Sequence, residues 1–321
     1  MFHFQGTLYK QVWSDENLTE AWKKVRSNSH VAGVDEITLS AFERNLFANL
    51  KVIQESLKVR TYHPQPVKRF HVRKADGNKR PLGILTVQDR IVQRAVLHVI
   101  QPIFDEGFEE WSYAFRPSRS VQMAIDHVLR FVNQGSPWIV DLDLLSFFES
   151  INLKRLFTLI CARLKDRDLR RLIHAWLDIE TFTVERRGLF RRPLARGILQ
   201  GGVLSPLLAN IYLDPFDKMA LDRGLKVVRY GDDIVILCNT RLQANRHLKR
   251  ARTMLAKLDL ELNPRKTQIV HVEKGMTYLG ERLFLKRYGD EERVVTVNGH
   301  HAQKAKEAAQ PEAAVEASHS A

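Results

Sequence analysis

Cysteine is nearly absent from this chain. Two occur in 321 residues, Cys161 and Cys238, far apart and in no CxxC or Cys/His spacing. That excludes a disulfide framework and a thiolate zinc site, and two buried free thiols are expected. Long apolar runs are missing too, so nothing reads as a bilayer-spanning helix. The first residues, Met1-Phe2-His3-Phe4-Gln5, lack the basic-then-apolar layout of a signal peptide, and a soluble cytoplasmic protein with no membrane partner is expected. There is no internal repeat and no obvious linker. Acidic residues are in deficit, 37 against 50 Lys and Arg, for a formal charge of +13. An excess of this size in a folded chain suits a polyanionic partner, since Lys and Arg gain affinity by releasing counterions from phosphates.

What is present is enough apolar material, 44% of the residues, to build one compact unit with two subdomains or two small domains. Apolar spacing of three and four residues predicts helices within 16–60, one of them running over 39–57, with a loop at Ala32-Gly33-Val34-Asp35, and further helices over 89–104 and 121–132. Residues 62–66 are held extended by their prolines. Two strands, 70–73 and 80–84, flank a turn at 75–78. Residues 138–145 read as a strand leading to one helix over about 152–177, and 181–193 as a basic hairpin or loop. A helix opens after Gly201-Gly202 and runs through 213. Strands at 227–230 and 234–237 enclose Gly231-Asp232-Asp233, and a helix over 242–258 precedes short strands near 268–272 and 278–285. Strands and helices mix with antiparallel hairpins, which predicts an α+β fold. The last residues, rich in Ala, Glu and Lys, show no core pattern.

The chemistry lies in two acidic sites. In Trp138-Ile139-Val140-Asp141-Leu142-Asp143 the side chains alternate across a sheet. Trp138, Val140, Leu142 and Leu144 share one face, expected to pack on helices, and Asp141 and Asp143 point from the other. Two acids on a strand are equally explained as a solvated edge. The second site, Tyr230-Gly231-Asp232-Asp233, sits between two apolar strands; a Gly-Asp pair is ordinary turn chemistry, but a second Asp entering an apolar strand needs a partner. If this hairpin lies beside the Asp143 strand, three carboxylates converge. They repel one another unless cations neutralise them, and hard oxygen ligands suit magnesium. Two such ions would serve an in-line phosphoryl transfer.

Other groups fit that reaction. Lys74 and Arg80 flank a turn where they could clamp a triphosphate, or form a merely solvated basic hairpin. Phe147-Phe148 offers a ring against a sugar, though paired aromatics are commonly core. Gln200-Gly201-Gly202 offers a flexible backbone and a polar side chain before a helix, or an ordinary loop.

Taken in order, the blocks Gly33-Val34-Asp35; Lys79-Arg80-Pro81-Leu82-Gly83-Ile84 with Asp89-Arg90-Ile91-Val92-Gln93; Tyr113-Ala114-Phe115-Arg116-Pro117; Asp143 with Phe147-Phe148; Gln200-Gly201-Gly202-Val203-Leu204-Ser205-Pro206; Tyr230-Gly231-Asp232-Asp233; Leu262-Asn263-Pro264 with Lys266-Thr267; and Tyr278-Leu279-Gly280 carry a resemblance. The chain resembles prokaryotic reverse transcriptases of the group II intron-like lineage, which includes CRISPR-associated reverse transcriptases. The resemblance implies a right-hand polymerase fold with fingers and palm and an antiparallel palm sheet flanked by helices; the residues after Gly280 depart from it in lacking a helical thumb pattern, so a thumb that is short or missing is expected. The implied domains are an N-terminal helical extension with the first part of the fingers, 1–110; palm, 111–151; fingers again, 152–198; palm again, 199–285; and a poorly ordered tail, 286–321.

The implied activity is RNA-directed DNA polymerisation with two Mg2+ ions, replaceable by Mn2+. Asp143, Asp232 and Asp233 match the catalytic, metal-binding aspartates, Asp143 and Asp232 foremost as direct ligands, with help from the Leu144 backbone carbonyl. Lys74 and Arg80 match the residues that hold the incoming triphosphate, Phe148 the sugar gate, and Gln200 the loop that touches nucleotide and template. Asp141 is an outer-shell candidate. The implied partners are an RNA template with a DNA or RNA primer, dNTPs, and either CRISPR adaptation proteins or intron RNA. The chain departs from the family pattern at Leu145, Glu149, Leu199 and Gly231, none of them a metal ligand. Two rivals stand beside this reading. One is a non-catalytic, maturase-like RNA-binding splicing cofactor. The other is an RNA polymerase or nucleotide cyclase on a similar palm, which a bulky gate at Phe148 disfavours.

Overall fold

The computed structural model describes residues 7–27, 31–73, 79–185, 188–193, 197–288 and 291–297. Helices α1 (Leu8–Val12), α2 (Asp15–Arg26), α3 (Leu39–Arg44) and α4 (Leu46–Lys58) lead to strands β1 (Val67–Arg73) and β2 (Lys79–Ile84) and the long α5 (Val87–Asp105). Next come α6 (Val121–Asn133), β3 (Trp138–Leu142) and the short α7 (Phe147–Ser150). Then follow α8 (Leu153–Arg163), α9 (Arg167–Leu177), β4 (Glu180–Glu185) and β5 (Gly188–Pro193). The last group is α10 (Ser205–Leu221), β6 (Lys226–Tyr230), β7 (Asp233–Cys238), α11 (Arg241–Ala256), β8 (Gln268–His271), β9 (Met276–Tyr278), β10 (Glu281–Tyr288) and β11 (Glu291–Val297).

Two compact units result. Among the described residues, the first gathers those up to 106 with 153–208, the second 107–152 with 209–297. The last crossing between them follows Leu208. Hydrogen bonds explain this: the Gly83 N–H donates to the Gln200 carbonyl at 2.8 Å and the Leu204 N–H to Gln93 Oε1 at 3.2 Å, tying the 200–204 loop to β2 and α5.

In the first unit, α2 starts where the Ser14 hydroxyl accepts from the Asn17 N–H, and it buries Leu18, Ala21, Trp22 and Val25. It packs on α5, whose Ile91, Val92, Ala95, Val96 and Ile100 are fully buried. Two helices expected to be continuous are broken. The break between α3 and α4 is at Asn45 (φ −123°, ψ 38°). Between α8, which ends at Arg163, and α9, Asp166 caps the second helix, accepting from the Asp168 and Leu169 N–H groups at 3.0 and 3.1 Å. Its other oxygen takes the Tyr9 N–H at 2.9 Å, so the cap also pins α1. The sheet of this unit runs β2-β1-β4-β5, antiparallel except for the parallel β1–β4 pair.

The second unit holds the antiparallel sheet β6-β7-β3-β8 and the smaller β11-β10-β9. The Asp141 face was expected to be open. Both faces are covered, because Ile139 alternates with Asp141 and an apolar residue there needs a partner. Ile139, Val228, Val235 and Leu237 close on Ala124, Ile125 and Val128 of α6 and on Met276, Tyr278 and Leu283 of the small sheet. On the other side lies α11, with Ala244, Ala251, Met254 and Leu255 buried. The region expected to be a tail from 286 contributes instead the end of β10 and all of β11, paired from Arg282–Val297 to Tyr288–Glu291; residues 298–321 lie outside the described residues. Both cysteines carry free thiols, but only Cys238 is buried, its thiol pushed up to about 11 by desolvation, whereas Cys161 is half-buried.

One buried carboxylate organises the entry to α5. Asp89 accepts from the Tyr62 hydroxyl, from the Thr86 hydroxyl at 2.7 Å and from the Gln65 N–H at 3.1 Å, while Thr86 caps the helix by accepting the Asp89 N–H at 3.1 Å. Burial pushes its pKa up to about 6 despite those donors. The folded chain therefore holds a proton that the unfolded chain has released, so the contribution of Asp89 to stability is full below the unfolded carboxylate range and is lost as pH rises from about 4 through 6. The loss is on the order of 3 kcal/mol. The Asp89→Asn variant should flatten that slope in urea melts between pH 4 and pH 7 and equal or exceed the parent at pH 7; an unchanged slope would remove Asp89 as its source.

Candidate active site

The site grows out of the sheet register in the second unit. Strand β3 pairs with β7 from Trp138–Cys238 to Leu142–Ile234. One step further along the same register stand Asp143 and Asp233, at the end of the ladder. With β6 pairing β7 up to Tyr230–Asp233, only Gly231 and Asp232 remain as the turn. Gly231 has φ +67° and Asp232 has no positive φ, the pattern of a two-residue hairpin with glycine first. Strand alternation puts Asp141, Asp143 and Asp233 on one face of the sheet. The buried Tyr278 ring lies on that side, and desolvation, with Asp233 and Asp141 adding to it, raises its phenol pKa well above the ordinary value.

The backbone around Asp143 is held by the segment after α11. The Asn263 N–H donates to the Asp143 carbonyl at 2.8 Å, and the Leu145 N–H to the Glu261 carbonyl at 2.9 Å. These two bonds enclose the Leu144–Leu262 bridge, and the Leu144 carbonyl takes part in neither. The Asp143 N–H donates to Thr267 Oγ1 at 3.3 Å, and the Lys266 ammonium stands 3.7 Å from the Asp143 carboxylate, both side chains partly exposed. The Asn263 side chain accepts the Arg265 N–H at 3.1 Å and its carbonyl accepts the Thr267 N–H at 2.9 Å, so the loop is pre-shaped for this role. Asn263, Lys266 and Thr267 belonged to a recognised block in the sequence, but their function of holding Asp143 was not readable from it. Asp141 accepts from Gln268 Nε2 at 3.2 Å, which places it beside β8.

Among the described residues, no three His, Cys, Asp or Glu side chains are grouped closely enough to hold a metal ion. The three aspartates are thus brought to one sheet end without forming a ready-made triple cluster. The donors available there, carboxylates and a peptide carbonyl, are all hard oxygens, which fits a divalent cation of the magnesium type.

Phe148 follows on α7, entered through Ser146 in a left-handed conformation (φ 46°, ψ 48°). Its ring is half-buried and meets the buried Phe147 ring edge to face at 5.4 Å, a packing that fixes its direction. Gln200 belongs to the first unit. There Gly201 (φ +97°) crosses β2 so closely that a Cβ would lie 2.7 Å from the Gly83 carbonyl oxygen. The glycine is needed for close approach, where the sequence suggested flexibility. Arg80 is described only by its backbone, in β2 opposite Val72. Lys74 and the turn at 75–78 lie outside the described residues.

Basic side chains are exposed on α11: Arg241, Arg246, Lys249, Arg250 and Arg252. No helix among the described residues is long and apolar enough to cross a membrane.

Comparison with known proteins adds the family. The pattern of the reverse transcriptase (RNA-dependent DNA polymerase) family matches residues 72–283. Protein YkfC of Escherichia coli is 32% identical over 333 residues, covering 90% of this chain and 86% of YkfC. The group II intron-encoded protein LtrA of Lactococcus lactis is 34% identical over 228 residues, 69% of this chain but 36% of LtrA, so the chain spans about a third of that relative. Among solved structures, apo telomerase from Candida tropicalis truncated from its C-terminal domain superposes with a TM-score of 0.55 at 14% identity, over 81% of this chain and 63% of that one, a likeness of fold.

The two glycines of these loops should differ in what they tolerate. At Gly231 a Cβ meets nothing nearer than 3.5 Å, so Gly231→Ala pays only for the left-handed backbone, about 1 kcal/mol. Gly201→Ala adds a backbone collision and should cost more. Urea denaturation of the two variants checks the order, and equal losses would contradict the close crossing at β2.

Proposed function

The chain belongs to the reverse transcriptase family of RNA-dependent DNA polymerases, and from that we propose a two-metal polymerase whose reacting centre is the end of the β3–β7 ladder. The observation that carries the reading is the register that sets Asp143 beside Asp233 with Asp232 in the adjoining turn. Reverse transcriptases bind RNA templates and work with divalent metal ions; here the ions are Mg2+. Asp143, Asp232 and Asp233 would hold them, Asp143 and Asp232 most directly, with the Leu144 carbonyl as a further ligand. Such ions, when bound, stabilise the attacking and leaving oxygens of an in-line phosphoryl transfer. In that transfer the primer 3′-oxygen bonds to the α-phosphorus of a dNTP, the bond to the β-phosphate oxygen breaks, and pyrophosphate leaves.

The remaining roles are assigned on chemistry. The Phe148 ring walls the sugar and excludes a 2′-hydroxyl. Lys74 and Arg80 neutralise the triphosphate, and Gln200 contacts the incoming nucleotide and its template base. The exposed arginines and lysine of α11 follow a nucleic-acid backbone. The intron-encoded relative at 34% identity supports the group II intron-like lineage, whose members serve either CRISPR spacer acquisition or a mobile intron.

Primer extension on poly(rA)/oligo(dT) with dTTP and Mg2+ tests the polymerase. The wild type should extend and the double variant Asp232→Ala, Asp233→Ala should not, a loss of at least a thousandfold. Silence from both with RNA binding intact would favour a binding protein of the splicing-cofactor kind. Phe148→Ala should raise ribonucleotide incorporation relative to dNTP use by tenfold or more, and an unchanged ratio would remove Phe148 as the gate.

A further inference from the structure

Arg229, in β6, and Asp217, in α10, both have no exposed side-chain surface. A buried ion pair is commonly no more stabilising than well-packed apolar residues of the same volume, so stability alone gives this pair no reason to exist. Its bonds point to another. Arg229 Nε donates to both Asp217 oxygens at 3.0 Å, and Nη2 closes on the same carboxylate. Nη1 turns the other way and donates to Asn210 Oδ1 at 2.9 Å and to the Gly231 carbonyl at 3.1 Å. One rigid planar fork, anchored on α10, thus grips the peptide group that leads into Asp232.

Because a peptide group is planar, holding the Gly231 oxygen also sets the direction of the Asp232 nitrogen, and with it the line along which the Asp232 side chain leaves the backbone. The backbone of Arg229 is tied down as well: its N–H donates to the Trp111 carbonyl at 2.8 Å and its carbonyl accepts the Tyr113 N–H at 2.9 Å. Asn210 completes the arrangement, its Nδ2 donating to the Ala114 carbonyl at 2.8 Å. That bond fixes the peptide entering Phe115, whose φ of +59° is costly for a bulky residue. The Phe115 ring packs beside the turn, 3.5 Å from where a Gly231 side chain would begin and 6.5 Å from the Tyr230 ring centre. The same three buried residues therefore hold the turn and the aromatic beside it.

We propose that Arg229, anchored by Asp217 and Asn210, is a positioning residue for the metal-binding turn: a buried clamp on the Gly231 carbonyl that aims the Asp232 carboxylate. The proposal rests on the reading of Asp232 as a metal ligand. Truncating one partner alone strands a buried charge and unfolds the chain for a trivial reason. The informative variant is Arg229→Met with Asp217→Leu, which removes both charges at similar volume. Arg229→Lys is the second variant; it keeps the charge against Asp217 but lacks the fork.

Amide hydrogen exchange on the metal-free chain is the first readout. The amides of 231–233 should exchange at least tenfold faster in both variants, with those of 235–238 unchanged. Mn2+ binding followed by electron paramagnetic resonance should weaken about tenfold. In primer extension kcat should fall by tenfold or more with the KM for dTTP unchanged. Wild-type exchange in the turn would overturn the clamp, and so would a looser turn with unaltered Mn2+ affinity and kcat. Uniformly faster exchange across the second unit, or failure of both variants to fold, would also overturn it by making the pair a stability element only. A looser turn and weaker Mn2+ binding, in a protein that extends no primer even as wild type, would leave the clamp standing and sink the polymerase reading.

Discussion

The antiparallel register between β3 and β7 is the constraint from which the rest of the second unit follows. Side chains alternate with a period of two, so a slip of β3 by one residue along β7 would turn Asp141 and Asp143 toward α11, push Val140 to the opposite side and part the two acids from Asp233. What prevents the slip is apolar. Ile139, Val235 and Leu237 are matched to α6 and to Tyr278 and Leu283, and those residues have no equivalent partners in a shifted register. The acids are positioned by the hydrophobic residues that alternate with them.

Placing carboxylates together is unfavourable, and the surroundings reduce the cost in different ways. Around Asp143 the control is local: a turn at Asn263 holds the backbone on both sides, and Lys266 brings a positive charge near the carboxylate. At Asp232 control comes from below, through a guanidinium out of contact with solvent. One strand end is thus steadied by exposed polar groups and the other by a buried ionic network. A tight hairpin turn offers little surface for side chains to grip, and its carbonyl is the atom a buried donor can reach.

Asp89 shows the same economy in the first unit. A carboxylate buried for its acceptor capacity ties the extended 62–65 segment to the start of α5, and its raised pKa is the electrostatic consequence. Gly201 and Gly83 show how a glycine can be required by close approach: a loop carrying Gln200 lies directly on the backbone of the strand that carries Arg80.

Much of this was legible in the order of residues. The alternation in 138–143 and the glycine-led turn after Tyr230 are local matters, governed by dihedral preferences and nearest neighbours, and the sequence alone determined them. So did the family, because ordered blocks survive as strings even when no contact is visible. Breaks at Asn45 and at 164–166 were missed, since an apolar period can run through a cap whose partner, Tyr9, is more than 150 positions away. Strand β11 was missed for a related reason, its stabilising contacts being with β10 and with α6. Only the tertiary structure decided which residues hold the aspartates. Asn263 and Thr267 meet Asp143 from over 100 positions away, and Arg229 finds Asp217 and Asn210 across a helix and a strand. Sequence records which groups can bond, whereas folding chooses the partners by the burial that leaves each polar group no water to turn to.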